Sequence, residues 1–140
     1  MNIPNRNVLD LNAVLLCMPF SVTLAELNAG KTIIPPDIMK RIRVVGFLAV
    51  MNGTFTTLTD ARLSNITPDG TTSVDIATVV AAQMGTGVRH SEAAGTNVLG
   101  AGFNADLPFG SGVQMRKTGG TAAGGTSIDG RLYYILVDPR

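Results

Sequence analysis

Residues 41–51, RIRVVGFLAVM, carry the strongest strand pattern in the chain, and Asn52-Gly53 follows them directly. The stretch begins with alternating charged and apolar residues and is then apolar at consecutive positions. A strand that is covered on both faces lies at the centre of a two-layer fold. The Asn-Gly pair favours a tight type I′ hairpin, because both residues tolerate positive φ angles. We therefore predict that residues 54–59 return beside residues 41–51 in a central hairpin.

Shorter strand patterns lie on both sides of this hairpin. Each alternates apolar and polar residues or is apolar and β-branched, and turn residues separate one from the next. These segments are residues 21–27, 31–34, 61–66, 74–80, 113–117 and 127–137. Residues 67–70, TPDG, predict a turn, because Pro presets φ and Gly accepts a positive φ. Residues 119–125, GGTAAGG, are typical of a flexible loop.

This pattern predicts an all-β fold, namely a jelly-roll-like antiparallel β-sandwich of about eight strands with an extended N-terminal arm. An immunoglobulin-like sandwich is the alternative, but the chain has a single Cys and no Trp. Residues 1–12, MNIPNRNVLDLN, have neither helical nor strand periodicity and form the predicted arm. Such an arm either frays or becomes ordered on a neighbouring molecule. Residues 13–140 form the predicted single domain.

The composition excludes several classes of function. The chain has 140 residues, of which 45% are hydrophobic and 15% charged, with a net charge of +1. This balance argues against intrinsic disorder and against a basic nucleic-acid-binding protein. No apolar stretch approaches the roughly 18 residues of a membrane span. Because so few charges are available to cover the surface, we expect an oligomer or a component of a larger assembly.

The apolar run at residues 13–20, AVLLCMPF, is too short to span a bilayer. It also lacks the basic start and the small-residue cleavage site of a signal peptide. Cys17, the only cysteine, is expected to be a small buried hydrophobe, because no His or basic cluster lies near it in the sequence. We therefore expect synthesis in a reducing host cytoplasm.

The residues that could perform catalysis are few. His90 is the only histidine, and zinc needs three or four His, Cys or carboxylate ligands, so we expect His90 to lie in a solvated loop. Residues 110–112, GSG, lack the spacing of a nucleophile elbow. The glycine-rich residues 95–102 and 119–125 match neither a dinucleotide fingerprint nor a phosphate loop. The sequence therefore predicts no enzyme, no cofactor and no metal centre.

Two sets of charged residues leave alternatives open. Arg41 and Arg43 lie two residues apart in a strand and share one face, either as a small positive patch for an acidic partner or as an ordinary solvated strand end. Asp60, Asp69 and Asp75 do not have the spacing of an EF-hand. A calcium site that the fold assembles from these loops is the alternative to three separate solvated carboxylates.

Several short segments give the chain a family resemblance. They are residues 27–33 (LNAGKTI), 93–97 (AAGTN), 99–103 (LGAGF), 112–119 (GVQMRKTG) and 126–129 (TSID). With these segments the chain resembles small β-sandwich virion proteins of tailed bacteriophages, of the capsid decoration or cement type. The resemblance covers most of the chain after the arm, and its motifs are turns and strand edges.

The resemblance implies a structural virion protein on the capsid exterior. Such a protein decorates and stabilises the shell by binding between subunits of the major capsid protein, with itself as a homotrimer and with neither nucleic acid nor membrane as a partner. We expect the arm to make part of this contact, because multivalent attachment strengthens weak single contacts. The expected partner-binding residues are Asn2, Ile3, Pro4, Asn5, Arg6, Asn7, Val8 and Leu9. The alternative is a head-fibre, tail or baseplate module that recognises a partner protein or a cell-surface glycan.

Overall fold

The computed structural model describes residues 14–93 and 96–137, and the predicted arm and its contact residues lie outside them. Strands dominate the described part. They are β1 (Leu15–Thr23), β2 (Lys31–Ile34), β3 (Arg41–Asn52), β4 (Thr56–Ile66), β5 (Asp75–Val80), β6 (Arg89–Ser91), β7 (Val98–Leu99), β8 (Gly112–Ala123) and β9 (Ser127–Val137). The short helix α1 (Leu24–Ala29) and a 3-10 turn (Ala81–Gln83) accompany them. No helix in these residues is long and apolar enough to cross a membrane.

The strands form two antiparallel sheets that pack face to face. Sheet A has the order β1-β9-β3-β6, and sheet B has the order β2-β8-β4-β5-β7. Apart from the two-residue β7, the first strand pairs with the last, β2 with β8, β3 with β6 and β4 with β5. This nested pairing of eight strands across two sheets is a jelly roll, which confirms the predicted fold class.

The predicted central hairpin is wrong. Strand β3 pairs with β6 and β9, whereas β4 pairs with β5 and β8, so these consecutive strands lie in different sheets. Both edges of β3 are already occupied, and β4 therefore has no free edge of β3 to pair with. Asn52 continues β3, and only Gly53 has a positive φ, of +88°. The Asn-Gly pair therefore marks a crossing between the sheets.

Two further elements differ from the sequence prediction for local reasons. The predicted strand at 21–27 ends at Thr23, where a capping box starts α1: the Thr23 hydroxyl accepts from the Glu26 N–H, and the Glu26 carboxylate accepts from the Thr23 N–H. The predicted loop at 119–125 is strand as far as Ala123, because β8 remains paired with β4 through two irregularities in register.

A single apolar core fills the space between the two sheets. Every second residue of the long strands points into it, as the period of a strand requires. The largest fully buried apolar side chains include Leu27, Met51, Phe55, Ile76 and Leu132.

Candidate interaction surface at the open end of the sandwich

His90 is a buried structural residue, and the predicted solvated-loop position is wrong. It lies in β6 with no solvent exposure, opposite Ala49 of β3. Its Nε2 donates to the carbonyl oxygen of Gln83 at 3.0 Å, and its Nδ1 lies 2.8 Å from the Thr96 hydroxyl. Burial is tolerated because both ring nitrogens have partners. Burial also lowers the pKa of His90, against a smaller opposing effect of the bond to Gln83.

Cys17 is exposed, so the prediction of a buried thiol is wrong as well. Residues 15–20 of the apolar run form most of β1, and their side chains alternate between the two faces of sheet A. Leu16 and Met18 point inward, whereas Cys17 points outward beside Tyr133 of β9. The sequence showed only a continuous apolar run, which does not reveal which residues face solvent.

The acidic residues on sheet B are held by partners within the chain. Arg62 donates to Asp60 at 2.8 Å and to Asp75 at 2.9 Å, and Arg116 lies 3.4 Å from Asp75. The hydroxyl of Thr118 donates to Asp60 at 2.8 Å. The bond from Arg62 lowers the pKa of Asp60, although burial opposes this effect. We call these residues the ion cluster.

The ion cluster leaves little for a cation to bind. Asp75 also accepts from Ser64 at 2.8 Å, and Asp69 closes its own turn by accepting from the N–H of Thr71. Within residues 14–93 and 96–137, no three His, Cys, Asp or Glu side chains form a group that could hold a metal ion. The calcium alternative therefore gains no support from this part of the chain.

Arg41 and Arg43 do not form a free positive patch. Arg43 makes an ion pair with Asp106 at 2.7 Å. The Arg41 guanidinium lies over the ring of Phe109, 5.8 Å from its centroid, in a cation–π contact. Both arginines thus fasten the start of β3 to the long connection before β8.

Most of the exposed large apolar side chains gather at one end of the sandwich. Six of the nine exposed large hydrophobic residues of the described chain come from the start of β1, the end of β9, the loop between β2 and β3, and the connection before β8. They are Val14, Leu15, Ile38, Met39, Phe109 and Leu136, which we call the apolar end. Hydrogen bonds join the two loops, since Asp37 donates to Gly110 and Gly110 donates to Lys40.

A groove opens between the sheets at the apolar end. Its volume is about 540 Å³, and apolar side chains from both sheets line most of it, with Asp37 and Lys40 at its rim. The groove exists because the edge strand β1 has nine residues, whereas the edge strand β2 of the other sheet has four and stops at Pro35-Pro36. The inward-facing Leu16 and Met18 of β1 therefore have no strand of sheet B beneath them and line the groove.

The described residues thus form an all-β sandwich with jelly-roll strand order. No family model matches the chain, and no curated protein matches it. Among solved structures, the chain is similar to the VP2 subviral particle of infectious bursal disease virus, with 17% identity, a TM-score of 0.42, and coverage of 89% of this chain and 32% of that chain. The Gx strain of the same virus gives 15% identity, a TM-score of 0.37, and coverage of 88% and 30%. The chain therefore spans about a third of the length of these structures, and the similarity is too low to assign a family or a function.

Sequence reasoning missed the apolar end. The signals were present in the apolar run at 13–20 and in Pro35-Pro36, which ends β2 early. Neither the apolar run nor the Pro-Pro pair reveals the groove alone, because the groove depends on the difference in length between β1 of sheet A and β2 of sheet B. The predicted arm contacts, Asn2 to Leu9, lie outside the described residues and stay a prediction.

Proposed function

We propose that this protein is a non-enzymatic structural component of a virion, which decorates and stabilises a bacteriophage capsid by binding between shell subunits as an oligomer. The observation that carries the proposal is the apolar end. Exposed apolar side chains that gather around a groove mark a protein–protein contact. Ile38 and Met39 are 64% and 73% exposed, which is unfavourable on a single chain in water.

The chemistry of the described residues favours this structural role. The only histidine is buried and hydrogen-bonded on both nitrogens, and the ion cluster pairs its carboxylates with arginines. These groups hold strands together, and the imidazole of His90 is buried among its own hydrogen-bond partners. The sequence resemblance to small virion proteins adds the expected partners, namely the major capsid protein and a homotrimer on the capsid exterior.

The test is the number of copies in purified native particles, measured by quantitative mass spectrometry against the major shell protein. A ratio close to that of the shell subunit is the expected result. A ratio far below it would contradict decoration and would favour the alternative, a head-fibre, tail or baseplate module. A glycan array would then decide whether that module binds a cell-surface sugar.

A further inference from the structure

We propose that the groove at the apolar end receives the N-terminal residues 1–13 of a second copy of this chain. The proposal rests on the oligomer in the proposed function and names the contact that forms it. Each copy would donate one segment and receive one, as a head-to-tail contact in a closed ring does.

The groove has the size and the chemistry for an extended apolar segment. A volume of about 540 Å³ lies within the range of sites that enclose a ligand, about 300–1,000 Å³. Leu16, Met18 and Ile42 line it from sheet A, and Ile34 lines it from sheet B. Polar groups stand at the rim, where Lys40 lies 3.6 Å from Asp37 and both side chains are partly exposed.

Residues 1–13, MNIPNRNVLDLNA, complement this lining. Their apolar residues Ile3, Val8, Leu9 and Leu11 supply side chains of a size that the groove can bury. Their two charged residues are one Arg and one Asp. This pair of opposite charges matches the pair formed by Asp37 and Lys40 at the rim, so the segment adds no unbalanced charge to the contact.

The path of the chain favours a second copy over the segment's own groove. Val14 is 67% exposed, and β1 runs from Leu15 into the sandwich, so the described chain begins at the open end, beside the groove. To enter its own groove the segment would have to reverse direction at once, because Leu16 and Met18 already line that groove.

The length of the segment fits the distance to a neighbour. Thirteen extended residues span up to about 43 Å. A folded chain of this length has a radius of gyration of about 14 Å. The segment can therefore cross from one copy to the open end of the next copy without unfolding either domain.

The experiment uses two full-length variants with complementary defects. In the arm variant, Val8→Asp and Leu9→Asp place charges on the segment. In the groove variant, Ile38→Asp and Leu136→Asp place charges at the groove in residues that are 64% and 44% exposed, so that the fold is retained. Light scattering after size-exclusion chromatography gives the mass of each species, and circular dichroism checks the fold.

We expect the unmodified chain to be an oligomer and each variant alone to be a monomer. An equimolar mixture of the two variants should form a heterodimer and nothing larger, because only one intact segment and one intact groove meet. Val98→Asp is the matched control, since Val98 is also 64% exposed but lies on β7 away from the groove. This control should remain an oligomer.

Three results would overturn the proposal: a monomeric unmodified chain, variants that keep the full oligomer, or a mixture without heterodimer. The copy number in particles is a separate result. A low copy number together with a heterodimer would reject decoration and keep the contact, whereas a high copy number without a heterodimer would do the reverse.

Discussion

The outer surface of sheet B and the apolar end differ in where their partners lie. On sheet B, the carboxylates of Asp60 and Asp75 find Arg62 within the same sheet, so this surface is satisfied by the single chain. At the apolar end, Ile38 and Met39 are largely exposed beside an open groove. The first surface contributes to the stability of the fold. The second would be stabilised by any contact that removes its apolar side chains from water.

Single substitutions on the two surfaces should have different effects. A change in the ion cluster should alter the free energy of unfolding, because it leaves a buried charge without a partner. A change at the apolar end should leave the free energy of unfolding nearly constant and alter association instead. The expected effect on stability decreases from Arg62→Met through His90→Phe to Met39→Ser.

Arg62→Met should give the largest loss. Asp60 is only 5% exposed and would lose its main charged partner. Removal of one partner of a fully buried pair costs about 3–5 kcal/mol, and the 30% exposure of the Arg62 side chain reduces the expected loss to about 2 kcal/mol. Urea unfolding measures it, with Arg131→Met, at an exposed arginine of β9, as the control.

The same variant has an expected response to pH. Because the folded state holds the pKa of Asp60 below 3.8, this group stabilises the protein above that pH and loses its contribution as the pH falls below it. The difference between Arg62→Met and the unmodified chain should therefore shrink in acid. A loss no greater than that of Arg131→Met would show that the ion cluster is not what stabilises this surface.

His90 should produce a smaller effect in a different range of pH. Burial lowers its pKa below 6.5, so the unfolded chain binds more protons than the folded chain. Stability is therefore complete above about pH 6.5 and falls on acidification, by at most about 1.4 kcal/mol per pH unit. His90→Phe should remove this slope between pH 7 and pH 5, as followed by the midpoint of urea unfolding. An unchanged slope would exclude His90 as its source.

Met39→Ser should have the smallest effect on stability. Because the side chain is 73% exposed, we expect the free energy of unfolding to change by no more than about 0.5 kcal/mol. The measurement is made at a concentration where the protein is monomeric, since association would add its own stabilisation. A loss as large as that of Arg62→Met would contradict the distinction between the two surfaces.

Local features of the chain could be predicted because their causes are local. The strand predicted at 127–137 is observed as Ser127–Val137, since Ile128, Leu132, Tyr134 and Leu136 recur at even positions on one face. The turn at 67–70 forms as predicted, with Gly70 at a φ of +88° and its N–H donating to the carbonyl of Thr67. Both depend only on residues that are neighbours in sequence.

The class of fold also followed from the sequence, although the predicted hairpin was wrong. Many short strands without a long helix can bury their apolar faces only by packing sheet against sheet, whichever strands pair. The pairing itself was decided by competition for edges. Since β6 and β9 occupy both edges of β3, the local preference of Asn52-Gly53 for a hairpin could not prevail.

The sequence by itself therefore determined that the chain forms mainly β-strands around an apolar core. It also determined where the clearest strands and turns lie. Only the tertiary structure decided that His90 is buried, that Cys17 is exposed and that Arg62 meets two carboxylates. The apolar end is likewise a tertiary feature, because it arises where β1 extends beyond the shorter β2 of the opposite sheet. Such features depend on contacts between residues that are far apart in the chain, and the order of the residues alone does not state which of those contacts form.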